Sequence, residues 1–244
     1  MKSDTDMTKP DWIWFDLDDT LINFHANSRL ALRLIYNECG IDRYYPTPEE
    51  WIATYETHNK ELWDAYSRAE ITQDFLRLDR FATPLRPHWT DSEDRLNEFS
   101  RALDPLYLDR LAAQTVMIEG AFELLAHLRA HDYNIGVLSN GFTDVQHRKL
   151  TNTGLDRMVD LMVLSDDIGV NKPDPRLYSH AMERSGNTNP GRHVMVGDNR
   201  ATDIAGALAS GWRAIWLNPH AAELSVETDS VIVTPKLSLL KELF

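Results

Sequence analysis

Four bulky residues, Trp12-Ile13-Trp14-Phe15, run directly into three carboxylates and a hydroxyl, Asp16, Asp18, Asp19 and Thr20. The apolar run has the β propensity of a buried strand, and such a strand needs a neighbour on each side. The acids therefore stand at a strand's exit. Asp16 and Asp18 point the same way if the strand continues, and lie close together if it breaks into a tight loop. Carboxylates that close repel. A hard divalent cation with oxygen ligands, Mg²⁺ above all, offsets the repulsion, and a shared proton is the other answer. A solvated acidic turn is the plain alternative.

The period changes after Thr20. Apolar spacing predicts helices over 28–39, from Pro48 to about Ala69, over 72–81, and from Ser92 to about Gln114, the last bent or broken at Pro105. From Gly120 onward helices and strands alternate. Helix 121–129 leads to strand 134–139, helix 143–153 to strand 161–165, helix 175–185 to strand 193–196, and helix 202–210 to strand 213–217. An edge strand at 231–233 and a short helix at 237–243 follow. Strands separated by helices mean βαβ units and a doubly wound, Rossmann-like parallel sheet, to which the strand at Trp12 belongs. The expected architecture is an α/β core of residues 1–22 and 116–244, interrupted by an all-helical insert of 23–115. Ligands of such sheets bind at the carboxyl ends of strands, so an insert leaving just after Asp18 is placed as a lid.

The 244 residues carry a net charge of −13, which argues against gripping nucleic-acid polymer but not against a small phosphate ester. Cys39 is the single cysteine, so no intramolecular disulfide forms. The start, Met1-Lys2-Ser3-Asp4-Thr5-Asp6, lacks the regions of a signal peptide, and no apolar run reaches transmembrane length. The expectation is a cytoplasmic protein with no membrane partner.

Three further strand ends carry polar chemistry. Ser139-Asn140-Gly141 offers a hydroxyl and loop amides for a phosphate oxygen, or forms a generic polar turn. In Asn171-Lys172-Pro173-Asp174-Pro175 the helix-start signals fix Lys172 where it can neutralise an anion, or leave it as an exposed lysine. In Gly197-Asp198-Asn199-Arg200-Ala201-Thr202-Asp203, Asp198 can join Asp16 on a metal, while Asp203, and Asn199 beside it, support the metal shell or cap the helix.

In that order, Asp16-x-Asp18-x-Thr20, Ser139, Lys172 and Gly197-Asp198-x₄-Asp203 resemble the four signatures of the haloacid dehalogenase-like superfamily of phosphohydrolases, with the helical insert in the place of that family's first-position cap. The resemblance implies Asp16 as the nucleophile that forms an aspartyl-phosphate. It makes Asp18 the general acid and base, and has Ser139, Asn140 and Lys172 hold the phosphoryl group. One Mg²⁺ would be held by Asp16, Asp198 and the backbone carbonyl of Asp18, with Asp203 in support.

A second resemblance reaches into the insert. Asn59-Lys60-Glu61-Leu62-Trp63-Asp64-Ala65-Tyr66, Ile71-Thr72, Ser139–Thr143 and Trp216-Leu217-Asn218 are similar to the bacterial pyrimidine 5′-nucleotidases. That resemblance implies UMP, dUMP and dTMP as substrates. The chain departs from that subgroup's Pro-Gly at Ile118-Glu119-Gly120. Asn59, Trp63 and Tyr66 share a helix face and either contact the base or form the core of the insert. Rival readings are a sugar-phosphate phosphatase or phosphomutase on the same core, a haloacid dehalogenase, which has no use for Asp18 and Asp198, and a non-catalytic phosphate-binding module.

Overall fold

The computed structural model describes residues 9–244, so the start at 1–6, on which the signal-peptide expectation rests, lies outside the described residues. The chain forms two compact units, one made of the chain up to Asn23 with Met117–Phe244, the other of Phe24–Val116.

The first unit is a sheet of seven strands in the order β3-β2-β1-β4-β5-β7-β6. In chain order these are β1 (Trp12–Phe15), β2 (Asn134–Ser139), β3 (Leu161–Leu164), β4 (His193–Gly197), β5 (Arg213–Leu217), β6 (Ser225–Thr228) and β7 (Val231–Thr234). All pairs are parallel except β6 with β7. β6 is the one strand the sequence did not signal: all four of its residues are exposed, so it shows no burial alternation. It, and not β7, is the sheet edge, which corrects the expected edge strand at 231–233.

β1 shows the logic of the sheet. Ile13 and Phe15 enter one apolar core and Trp12 and Trp14 the other, so successive side chains serve opposite faces. The chain moves from β1 to β2 on one side and later returns to β4 on the other. The strand order therefore reverses at β1, where α/β sheets open their ligand crevice.

The second unit holds α1 (Phe24–Glu38), α2 (Pro48–Ser67), α3 (Gln73–Leu85) and α4 (Glu93–Ala112). Thr47, Thr72 and Ser92 cap three of them through side-chain oxygens. The expected break at Pro105 does not occur, and α4 runs through it. Leu103, Asp104, Tyr107 and Leu108 around the proline are all buried, and Asp104 is paired with both Arg77 and Arg80, so packing outweighs the missing hydrogen bond.

The flanking helices of the first unit are α5 (Ala121–Ala130), α6 (Thr143–Thr153), α7 (Ser165–Ile168), α8 (Pro175–Ser185) and α9 (Ala205–Ala209). Before α9 the chain makes a wide π turn over Arg200–Ile204, which takes in the first residues of the helix expected over 202–210. Tyr178 Oη donates to the carbonyls of Thr202 and Asp203 in that turn. Among the described residues no helix is long and apolar enough to cross a membrane.

Candidate active site

Asp16 sits one step beyond β1, its backbone N–H donating to the Val196 carbonyl at 2.9 Å. The chain then turns back at once. Leu21 and Ile22 N–H groups donate to the Leu17 carbonyl, the Asp19 N–H donates to the Ile22 carbonyl, and Asp19 takes the left-handed φ of 58°. Leu17, Leu21 and Ile22 anchor the turn in the core. The tight-loop alternative for this stretch is thus the observed one.

Lys172 is the cationic centre. Its ammonium donates to Asp16 Oδ1 at 2.6 Å and to the Leu138 carbonyl at 2.9 Å, and pairs with Asp203 Oδ1 at 2.7 Å. With only 2% of its surface exposed, it is no solvated loop lysine. Asn140 holds it in place. The amide accepts from the Lys172 N–H at 2.7 Å and donates to the Lys172 carbonyl at 3.1 Å. Both ends of the Asn140 side chain engage that backbone, so it positions the lysine.

Asp203 is fully buried, and its Oδ2 accepts from the Asn199 N–H at 3.0 Å. Asn199 Oδ1 accepts in turn from the N–H groups of Ala201 and Thr202, so Asn199 caps the π turn that carries Asp203. Asp198 is braced by Thr20, whose hydroxyl accepts from the Asp198 N–H at 3.1 Å and donates to Oδ1 at 3.2 Å. Trp216 Nε1 donates to the Asp198 carbonyl at 2.8 Å.

Oxygens of Asp16, Asp198 and Asp203 lie within 4.8 Å of one another. Three carboxylates thus face the single ammonium of Lys172. Burial pushes Asp16 well above the usual carboxylate range; Lys172 opposes this, and Asp203 and Asp198 add to it. Asp198 is pushed up to about 7, by burial first and then by Asp203 and Asp19. Burial would lower the Lys172 ammonium, but Asp16 and Asp203 outweigh it and hold the lysine charged. The excess of buried negative charge and the all-oxygen donor set fit a hard dication such as Mg²⁺.

The carboxylate of Asp18 is held elsewhere. It accepts from Lys149 Nζ at 2.7 and 2.9 Å and from Gln146 Nε2 at 2.9 Å, both on α6. Gln146 Nε2 also donates to Ser139 Oγ at 2.8 Å. Neither α6 residue was singled out from the sequence. A signal was present: Val145, Gln146, Lys149 and Leu150 form the buried stripe of α6, and two of the four are polar.

In the helical unit, Asn59 is on the buried stripe of α2 with Trp51, Tyr55 and Leu62, and its Oδ1 has no protein partner among the described residues. Trp63 and Tyr66 are half-buried and meet edge to face at 5.6 Å. They lie outside the buried stripe of α2.

The family model described as haloacid dehalogenase-like hydrolase matches residues 13–217. Pyrimidine 5′-nucleotidase YjjG of Escherichia coli is 33% identical over 96% of each chain. The glyceraldehyde 3-phosphate phosphatase of Methanothermobacter thermautotrophicus is 38% identical, covering 95% of this chain and 98% of its own. A magnesium-bound crystal structure of YfnB from Bacillus subtilis superimposes with a TM-score of 0.83 at 25% identity, over 96% of this chain and 98% of that one. On sequence and fold together, the chain belongs to the haloacid dehalogenase-like hydrolases.

Proposed function

We propose that the protein is a Mg²⁺-dependent phosphomonoesterase that works through a phosphorylated Asp16 and acts on pyrimidine nucleoside monophosphates. The observation that carries the chemistry is the convergence of Asp16, Asp198 and Asp203 oxygens within 4.8 Å of one another, beside a buried Lys172 ammonium paired with Asp16 and Asp203. The nucleotide preference is supported by the similarity to YjjG and by the motif likeness in the helical insert.

An Asp16 oxygen attacks phosphorus in line with the ester oxygen. As the P–O ester bond breaks, its electron pair goes to the leaving oxygen, and Asp18, protonated and released at one oxygen from its α6 donors, delivers a proton to it. In the second half, Asp18 takes a proton from water, whose oxygen attacks the phosphorus and returns Asp16 as a carboxylate. Lys172 neutralises the equatorial oxygens throughout, and Asn140 keeps it aimed. Ser139 Oγ accepts from Gly141 N–H and Gln146 Nε2, which leaves its proton for a phosphate oxygen. Asp16, Asp198 and the Asp18 carbonyl are the proposed holders of Mg²⁺, with Asp203 in support. When bound, the ion screens the repulsion between a carboxylate nucleophile and an anionic ester.

The test is a phosphate-release screen over nucleoside monophosphates and sugar phosphates, glyceraldehyde 3-phosphate included, with Mg²⁺ and with a chelator. UMP, dUMP and dTMP should be cleaved in preference to purine nucleotides, only with the metal, and Asp16→Asn should lower turnover by at least about a thousandfold. Equal cleavage of purine and pyrimidine nucleotides, or a preference for the triose phosphate, overturns the substrate reading. Unchanged release by Asp16→Asn overturns the mechanism.

A further inference from the structure

We propose that Gln146 and Lys149, on the first two turns of α6, are positioning residues for the proton-transfer carboxylate of Asp18, and that Gly141 is glycine in order to admit Gln146. The inference rests on the reading of Asp18 given above and extends it to residues that carry no family signature.

Lys149 and Gln146 are 3% and 0% exposed, and both sit on the face of α6 turned into the core beside Val145 and Leu150. A lysine on such a face costs desolvation unless an anion meets it. That anion is Asp18, with both oxygens engaged at 2.7 and 2.9 Å. Gln146 adds a third donor at 2.9 Å, and the same nitrogen reaches Ser139 Oγ at 2.8 Å. One amide therefore ties the proton-transfer group to the proposed phosphate ligand. Two helix side chains one turn apart fix the plane of the carboxylate as well as its position, which a single contact does not.

Gly141 completes the arrangement. A Cβ there would lie 2.2 Å from Gln146 Nε2 and 2.4 Å from its Cδ. Gln146 is fully buried and donates to both Asp18 and Ser139, so a shift to make room for that Cβ breaks these contacts. The Ser139-Asn140-Gly141 loop is thus shaped around the glutamine, and any larger residue at 141 would drive it off Asp18.

Asp18 matters most for a leaving oxygen of high basicity, an alkoxide, and little for p-nitrophenolate, which departs without a proton. A group that only aims Asp18 should share that signature at smaller amplitude. Lys149→Met, Gln146→Leu and Gly141→Ala are to be compared with wild type and with Asp18→Asn on two esters, UMP (or whichever natural ester the screen identifies) and p-nitrophenyl phosphate. Inorganic phosphate affinity, from calorimetry in Mg²⁺, and thermal midpoints are measured alongside.

The expected result is that Asp18→Asn lowers kcat on the nucleotide by about a hundredfold or more, and Lys149→Met and Gln146→Leu by about tenfold or more. On p-nitrophenyl phosphate Lys149→Met should stay within about threefold, with phosphate affinity within about twofold; Gln146→Leu also releases Ser139 and should lose more on the nucleotide than on p-nitrophenyl phosphate, with phosphate affinity reduced. Gly141→Ala should behave as Gln146→Leu does. If Asp18→Asn shows the split and the α6 variants lower both esters in equal proportion, or neither, the proposal is overturned and the reading of Asp18 stands. If Asp18→Asn itself shows no split, both fall together.

Discussion

Gly197 and Asp203 show what a single atom decides at this site. A Cβ on Gly197 would lie 2.2 Å from Asp203 Oδ2 and 2.4 Å from its Cγ. Asp203 is fully buried, with Oδ1 on Lys172 at 2.7 Å and Oδ2 on the Asn199 N–H at 3.0 Å, so it has nowhere to retreat. Gly197→Ala should therefore destabilise the fold by about 1–3 kcal/mol through overpacking. It should also cut turnover further than the lost stability accounts for, because Lys172 loses a carboxylate that orients it. Gly191→Ala is the control: its Cβ would meet nothing nearer than Asn189 Oδ1 at 3.5 Å, and the change should stay within about 0.5 kcal/mol. Denaturant melts and a phosphate-release assay on both variants decide the matter, and equal behaviour of the two would remove the packing argument. At this scale the sequence marks positions without the partners that define them. Lys172 reads as either an anion holder or an exposed loop lysine, because Asp16, Asp203 and the Leu138 carbonyl come from distant parts of the chain.

Among the elements, β1 and β4 are joined by a buried polar contact that responds to pH. Trp14 Nε1 donates to His193 Nδ1 at 3.0 Å, and His193 Nε2 meets the Asn187 carbonyl at 2.8 Å, so the ring serves as acceptor on one side and donor on the other only when neutral. Burial lowers the His193 pKa, against smaller opposing effects of the Asn187 carbonyl and Asp11. The unfolded chain then binds the proton at higher pH than the folded one. Stability should be unaffected by this group above the unfolded value and should fall as pH drops through and below it. Urea melts at pH 7.5 and 5.5 should show this loss in wild type and a smaller one in His193→Gln; the same loss in both would assign it to other groups. The strands and most helices were legible because their periods are strong. β6, uniformly exposed, carried no pattern to read, and the burial and the Asp104 pairing with Arg77 and Arg80 of another helix that accompany the continuity of α4 at Pro105 are not visible in local spacing. The α6 contacts to Asp18 are illegible in sequence for a related reason: a buried Lys149 makes sense only once Asp18 is opposite it.

For the molecule as a whole, a net charge of −13 would repel an anionic ester, and its buried centre adds three carboxylates against one lysine. A dication resolves both difficulties, by neutralising the centre and by giving the phosphate a positive site to approach. Added Mg²⁺ should accordingly raise the thermal midpoint of the folded chain, with the shift growing as the logarithm of its concentration once the site is filled. Asp198→Asn should reduce that shift, and a midpoint insensitive to Mg²⁺ in wild type would deny the site. The decisive experiment is to trap the covalent step. The enzyme is quenched in acid during turnover of its preferred ester, with Mg²⁺ or with a chelator, and its peptides are examined by mass spectrometry. One phosphoryl group should appear on the peptide carrying Asp16, with Mg²⁺ only, and should be absent from Asp16→Asn. Phosphate found on another residue, or Mg²⁺-dependent turnover that survives in Asp16→Asn, would contradict the account.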